Sequence, residues 1–174
     1  MKYLYAVIIL GVIFVGMRVS EGETMGAHNF SFESIDGAQI PMASYAGKVV
    51  LLVNTASFCG FTPQYGDLQN LFQEYKSTDL IFIATPSNDF KQELSTEEEV
   101  KKFCLINYGI SFNVTEIINL QGEKAHPLYK WLKEEYNEKP KWNFYKYLFD
   151  RNGELLDSWS SFTKPDSKKI IKII

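Results

Sequence analysis

The chain has 174 residues, 45% of them hydrophobic and 22% charged, with thirteen Phe, ten Tyr and three Trp. That is ordinary usage for one globular domain and excludes a disordered chain or a multi-span membrane protein. Eighteen basic against 21 acidic residues give a net charge of −3, so no basic face is available for nucleic acid. Two cysteines and two histidines cannot make a four-cysteine zinc site or a disulfide scaffold, and neither a metal nor a cofactor is expected.

The first residues differ from the rest. After Met1 and Lys2, Tyr3–Met17 runs without a charge. A spanning helix needs about 20 apolar residues, so this run is short for one. A positive start, a short apolar core and then small residues describe an export signal, with Ser20 and Gly22 suited to a cut before Glu23. Residues 1–22 therefore read as a signal peptide or an uncleaved membrane anchor. Residues 23–174 read as the domain, in a periplasmic or secreted protein. If translation starts at Met25, the protein is cytoplasmic. Removing Lys2, Arg18 and Glu21 leaves the body at −4.

Asn29–Glu33 alternates polar and apolar residues before the turn pair Asp36-Gly37, which predicts a small hairpin. Lys48–Asn54 is apolar and β-branched, as expected of a strand buried on both faces. Pro63 then opens a helix on which Tyr65, Leu68, Leu71, Phe72 and Tyr75 recur at helical spacing. Leu80–Ala84 is a second buried strand. Ser95 with Glu98, and Thr96 with Glu99, are capping-box pairs that open a helix reaching about Tyr108. Pro127–Tyr136 is a third helix, and Phe144–Phe149 with Glu154–Trp159 flank the turn Asp150–Gly153. Lys169–Ile174 closes the chain as a helix or strand. This order predicts an α/β domain with a central mixed sheet flanked by helices, compatible with a thioredoxin-like fold.

Cys59 follows the first buried strand and precedes the helix at Thr62-Pro63. Helix starts present unpaired N–H groups that favour a thiolate, and loops at the carboxyl ends of α/β strands collect ligands. Position alone leaves a buried structural cysteine equally open.

The segment Asn54-Thr55-Ala56-Ser57-Phe58-Cys59-Gly60-Phe61-Thr62 resembles the nucleophile segment of glutathione peroxidases, N-V-A-S-x-C/U-G-x-T. Pro86–Glu93 (PSNDFKQE) resembles that family's P-C-N-Q-F-G-x-Q-E, Pro127–Lys130 its P-L-Y-K, and Trp142-Asn143-Phe144 its W-N-F. The four motifs stand in the right order, and the resemblance covers almost all of the body. The resemblance implies a thioredoxin fold and a thiol peroxidase acting on hydrogen peroxide or organic hydroperoxides through a Cys59 sulfenic acid. Its site would comprise Cys59, Gln92, Trp142 and Asn143. The amide and indole N–H groups are suited to donate hydrogen bonds to the sulfur and to a leaving hydroxide. None is a strong base, so moving a proton would require bound water.

Two departures bear on this. The second block is one residue short, with Lys91 where a Gly and another residue stand in the family, and this puts the position of Gln92 in question. The segment between Tyr136 and Lys141 lacks the insertion that tetrameric members use, which implies a monomer. Lys102–Gly109 (KFCLINYG) resembles the resolving segment of the thioredoxin-dependent members. On that resemblance Cys104 pairs with Cys59, and a thioredoxin-type protein is a better reductant than glutathione. Against it, Val100, Phe103 and Cys104 share one helix face and suit a core position. A disulfide carrier would need a Cys-x-x-Cys pair, which Cys59 lacks. A non-catalytic redox-sensing module would leave the four-residue set without a use.

Overall fold

The computed structural model describes residues 25–174, so the leader lies outside the described residues. Strands β1 (Ser31–Glu33) and β2 (Gln39–Pro41) form the expected antiparallel hairpin. Ser34 Oγ accepts from the N–H groups of Asp36 and Ala38 and closes its turn. The main sheet comprises β3 (Val49–Thr55), β4 (Leu80–Pro86), β5 (Asn113–Val114), β6 (Lys146–Phe149) and β7 (Leu155–Trp159), in the order β5-β4-β3-β6-β7. Strands β3, β4 and β5 are parallel, and β6 and β7 are antiparallel additions on the other side of β3.

Helices α1 (Gln64–Tyr75), α2 (Glu97–Tyr108), α3 (Pro127–Tyr136) and the short α4 (Lys168–Ile171) cover the sheet. Alternation along β3 divides the interior in two. Leu51 and Val53 belong to the core that includes Tyr65, Leu68 and Leu71 of α1 and Val100 and Cys104 of α2. Val50 and Leu52 belong to the core holding Leu128, Tyr129, Trp131 and Leu132 of α3 with Phe32 and Ile40 of the hairpin. Each large apolar side chain so buried contributes about 1.5–3 kcal/mol relative to exposure.

The capping box at α2 forms as expected: Thr96 Oγ1 accepts from Glu99 N–H and the Glu99 carboxylate accepts from Thr96 N–H. Two expectations shift and one strand is new. The last strand pair starts at Lys146 because Phe144 has φ +63, which breaks the extended run. The C-terminal segment is a single helical turn, α4. Strand β5 has only two residues, too short for any periodicity to announce it. Among the described residues no helix is long and apolar enough to cross a membrane.

This topology fixes where a site can form. The order reverses at β3, whose neighbours are β4 and β6, and such switch points open a crevice beyond the carboxyl ends of the strands. The turn after β3, the loop after β4 and the segment entering antiparallel β6 all reach that end.

Candidate active site

Cys59 sits in the turn between β3 and α1, where hydrogen bonds within a few residues fix its backbone. Its N–H donates to Thr62 Oγ1 at 2.9 Å, Thr62 N–H donates back to its carbonyl at 2.9 Å, and Thr62 Oγ1 donates to Ala56 O at 2.9 Å. Phe61 N–H donates to Cys59 Sγ at 3.4 Å. The sulfur therefore lies over a backbone donor at the entrance to α1, where a negative charge is favoured. Cys59 is 6% exposed, while Phe58 beside it is 64% exposed. The thiol is covered at the base of an open, aromatic surface.

The loop after β4 clamps this turn. Phe58 N–H donates to the Gln92 carbonyl at 2.9 Å, and Ser57 N–H donates to Glu93 Oε1 at 3.0 Å. The missing residue of this loop is absorbed at Lys91, which takes φ +59 in a turn closed by its N–H on Asn88 O. That conformation costs a non-glycine residue about 1–2 kcal/mol. Gln92 is thereby kept at the site despite the shortening.

The segment entering β6 supplies the rest. Phe144 is buried at φ +63, its N–H donating to Asn54 O at 2.6 Å and its carbonyl accepting from Lys146 Nζ at 2.7 Å. Asn54 Nδ2 donates to Trp142 O, and Asn54 Oδ1 accepts from Tyr145 N–H, both at 3.0 Å. The reversal leaves Trp142 partly exposed, against Phe90 at 5.3 Å between ring centres, and buries Asn143 completely. Asn143 Nδ2 donates to Gln92 Oε1 at 3.0 Å, and Ser161 Oγ donates to Asn143 O.

Gln92 and Asn143 are thus brought into direct contact, and Gln92 is tied by its backbone to the residue before Cys59. The sequence expectation that amide and indole donors converge directly on the sulfur is corrected in one respect. Among the described residues the hydrogen bond to Sγ comes from Phe61 N–H, not from Gln92, Trp142 or Asn143. Gln92 Oε1 accepts from Asn143 Nδ2, so these two amides are joined to each other. A groove of about 360 Å³ lined by Phe61, Trp142, Tyr145 and Phe162 adjoins this arrangement. A larger cavity of about 520 Å³ lies instead against α3, among Leu120, Tyr129, Lys130 and Lys133, and none of the site residues lines it.

Cys104 occupies a different setting on α2. It is 3% exposed and a free thiol, as is Cys59. Burial pushes the Cys104 thiol up to about 11; the Tyr65 hydroxyl opposes that shift and the Glu93 carboxylate adds to it.

Two buried polar residues escaped the sequence reading. Lys146, completely buried on β6, donates to Gln64 Oε1 at 2.5 Å, and Gln64 Nε2 donates to Ser161 O at 2.6 Å. Burial lowers its pKa to about 7, against a smaller opposing effect of Asp67. Lys146 thus joins the start of α1 to the Phe144 reversal. Glu93 is 8% exposed, and burial raises its carboxyl above the usual range although Ser57 and Leu94 hydrogen bonds oppose this. The signal for both was their place beside recognised motifs: Glu93 after Gln92, and Lys146 after Trp142-Asn143-Phe144.

A model of the glutathione peroxidase family matches residues 27–133. The chain belongs to the glutathione peroxidase family. A glutathione peroxidase of Lactococcus lactis subsp. cremoris is 40% identical over 147 residues, covering 82% of this chain and 94% of that protein. The glutathione peroxidase-like peroxiredoxin gpx1 of Schizosaccharomyces pombe is 44% identical over 136 residues, covering 75% and 86%. The apo crystal structure of Trgpx superposes with a TM-score of 0.68 at 36% identity, over 85% of this chain and 94% of that one. A thioredoxin-family thiol:disulfide interchange protein of Chlorobium tepidum, at 19% identity and TM-score 0.61 over 88% and 98% of the two chains, shows the fold alone. The fold of this glutathione peroxidase family member is thioredoxin-like, and its activity is that of a thiol peroxidase reducing hydroperoxides, a protection against oxidative stress.

Proposed function

We propose that Cys59 is the peroxide-reducing thiol, that Cys104 resolves it, and that a thioredoxin-type dithiol restores both. The observation that carries this reading is the Cys59 turn itself: Phe61 N–H on the sulfur, with the Gln92 and Glu93 segment clamping Ser57 and Phe58. Attack of the Cys59 thiolate on the peroxide breaks the O–O bond and leaves a sulfenic acid, while the other oxygen departs as water or an alcohol after taking a proton. The free Nε2 of Gln92 and the indole N–H of Trp142 are the donors at hand for that departing oxygen. Cys104 then displaces the hydroxyl of Cys59 to form a disulfide, which a second dithiol reduces by exchange. Exposed Phe58, Trp142 and Phe162 make an apolar rim suited to organic hydroperoxides.

The same proposal includes a monomer, working outside the cytoplasm after loss of residues 1–22 or held by them at a membrane. Cys59→Ser in a peroxide-consumption assay with a thioredoxin system is the test. Turnover falls to the uncatalysed rate if Cys59 is the nucleophile, and sustained turnover refutes it.

A further inference from the structure

Lys146 opens β6 and is completely buried, as are Tyr147, Leu148 and Phe149 after it. Lysine is almost never fully buried without an acidic partner, yet no ion pair among the described residues includes Lys146. Its ammonium donates instead to two neutral oxygens, Gln64 Oε1 at 2.5 Å and Phe144 O at 2.7 Å. A methionine of similar length would fill this space without the cost of burying a charge. Both of the bonds that the lysine makes lead to the Cys59 site.

The first bond leads to the turn after β3. Gln64 is the first residue of α1, and its N–H donates at 2.9 Å to the carbonyl of Phe61, whose own N–H rests on Cys59 Sγ. The second bond leads to the segment entering β6, where Phe144 holds φ +63, a backbone that phenylalanine rarely adopts. Two bonds tie it there: Phe144 N–H on Asn54 O at 2.6 Å, and Lys146 Nζ on Phe144 O. The two branches then meet. Gln64 Nε2 donates to Ser161 O at 2.6 Å, Ser161 Oγ donates to Asn143 O at 2.5 Å, and Asn143 precedes Phe144 in the chain. Lys146, Gln64, Ser161, Asn143 and Phe144 thus close a ring, and every member is buried. Asn143 Nδ2 carries that ring to Gln92 Oε1 at 3.0 Å.

We propose that Lys146 is a positioning residue for the peroxidase reaction. Through Gln64, Ser161 and Phe144 it sets the segment carrying Trp142 and Asn143 against the Cys59 turn, and so aims the donors that meet the departing oxygen. The proposal rests on Cys59 being the peroxide-reducing thiol, with Gln92 and Trp142 as those donors.

The chemistry says why aim matters. As the Cys59 sulfur takes one peroxide oxygen, the O–O bond breaks and the other oxygen leaves with the electron pair. Donors fixed beforehand stabilise that charge without having to reorganise during the reaction. Loss of the ammonium takes one of its two ties from the Phe144 reversal and leaves Gln64 Oε1 without its donor. Trp142 precedes Asn143 in the chain, and Gln92 is bonded to the Asn143 amide, so a relaxed reversal displaces both donors. The thiolate itself keeps its own support, because Phe61 N–H and the Thr62 bonds that shape the turn are made without Lys146.

Lys146→Met is the test, since it keeps the length of the side chain and removes both bonds. Two rates are measured on the folded variant: oxidation of Cys59 by hydrogen peroxide, and alkylation of Cys59 by iodoacetamide over a range of pH. Alkylation needs the thiolate but no donor for a departing oxygen, and its pH profile reports the thiolate population. The ratio of oxidation to alkylation falls about ten-fold or more in Lys146→Met, while the midpoint of the alkylation profile stays where it is in the unmodified protein. A lysine that only stabilised the fold would not separate the two rates. Ser161→Ala, which removes one bond of the ring with little change in volume, lowers the ratio several-fold and serves if Lys146→Met does not fold. An unchanged ratio, or a fall shared equally by both rates, overturns the proposal and leaves Cys59 standing as the nucleophile. Full peroxide turnover in Cys59→Ser overturns the Cys59 reading and the proposal with it.

Discussion

Cys59 and Cys104 are nearly equally buried, at 6% and 3% exposure, and belong to one core cluster. What surrounds them differs. Cys59 lies in a turn with Phe61 N–H on its sulfur, exposed Phe58 on one side and Gly60 on the other. Cys104 lies on a formed helix beside Tyr65, under the influence of the Glu93 carboxylate, with burial pushing its thiol up to about 11. Burial alone does not separate a reactive thiol from a packed one. The polar groups around the sulfur, and the freedom of the backbone carrying it, do.

The helix end shows how the second thiol can be released. Gly109 caps α2 at φ +60, its N–H directed at the Cys104 and Leu105 carbonyls, and Ile110 N–H donates to Cys104 O at 3.3 Å. Beyond Cys104 the last turn carries Leu105 and Ile106, which are 60% and 68% exposed. Tyr108 packs this turn on Tyr65 and Phe103, so opening it costs those contacts and the cap, less than global unfolding. A disulfide needs Cα atoms within about 7 Å, and opening here is the motion that brings Cys104 toward Cys59.

The sharpest break between the two cysteines comes from Cys104→Ser. With thioredoxin as reductant, turnover stops after one oxidation of Cys59, and a small thiol rescues it slowly. Steady thioredoxin-dependent turnover in this variant returns Cys104 to a core role. Native labelling with iodoacetamide near pH 8 gives a second contrast. Cys104 exists there as about one thiolate per thousand, so it stays unmodified while Cys59 is alkylated, and its labelling grows only as pH rises toward 11. Equal labelling of both would erase the distinction.

Trp142→Phe probes the Cys59 side with a smaller effect. The ring stays against Phe90 and the N–H is lost, so the rate of Cys59 oxidation falls several-fold with little change in Tm. An unchanged rate makes Trp142 a packing residue. Gly109→Ala probes the Cys104 side with the smallest change. A Cβ at Gly109 meets no atom within 4 Å, so the cost is the left-handed backbone alone, about 1–2 kcal/mol. Disulfide formation then speeds up modestly because the cap is weakened, and a slower reaction would contradict opening at this end.

Much of this was legible from residues. Thr96 with Glu99 announced α2 because a capping box satisfies orphan N–H groups only at a helix start. Pro127 opened α3 because the first turn needs no N–H from it, and Asp150–Gly153 marked the last hairpin. The paired strand β5 was not legible, because two residues carry no pattern. Nor were the left-handed turns at Lys91 and Phe144, which long-range bonds impose on residues that do not prefer them. Charge misled in the other direction: Lys146 and Glu93 suggest solvent, yet both lie inside, held by partners distant in the chain. Sequence placed Gln92, Trp142 and Asn143 near Cys59 by motif, whereas the Gln92–Asn143 bond and the Phe61 donor required the fold.

Trapping the first oxidised sulfur identifies the peroxide-reducing thiol. Cys104→Ser is treated with a substoichiometric pulse of hydrogen peroxide in the presence of dimedone, and the adduct is located by peptide mass spectrometry. The expected product is a sulfenic-acid adduct on the peptide carrying Cys59, formed in step with peroxide loss. Peroxide consumption with Cys59 unmodified and no adduct rules out Cys59 as the nucleophile.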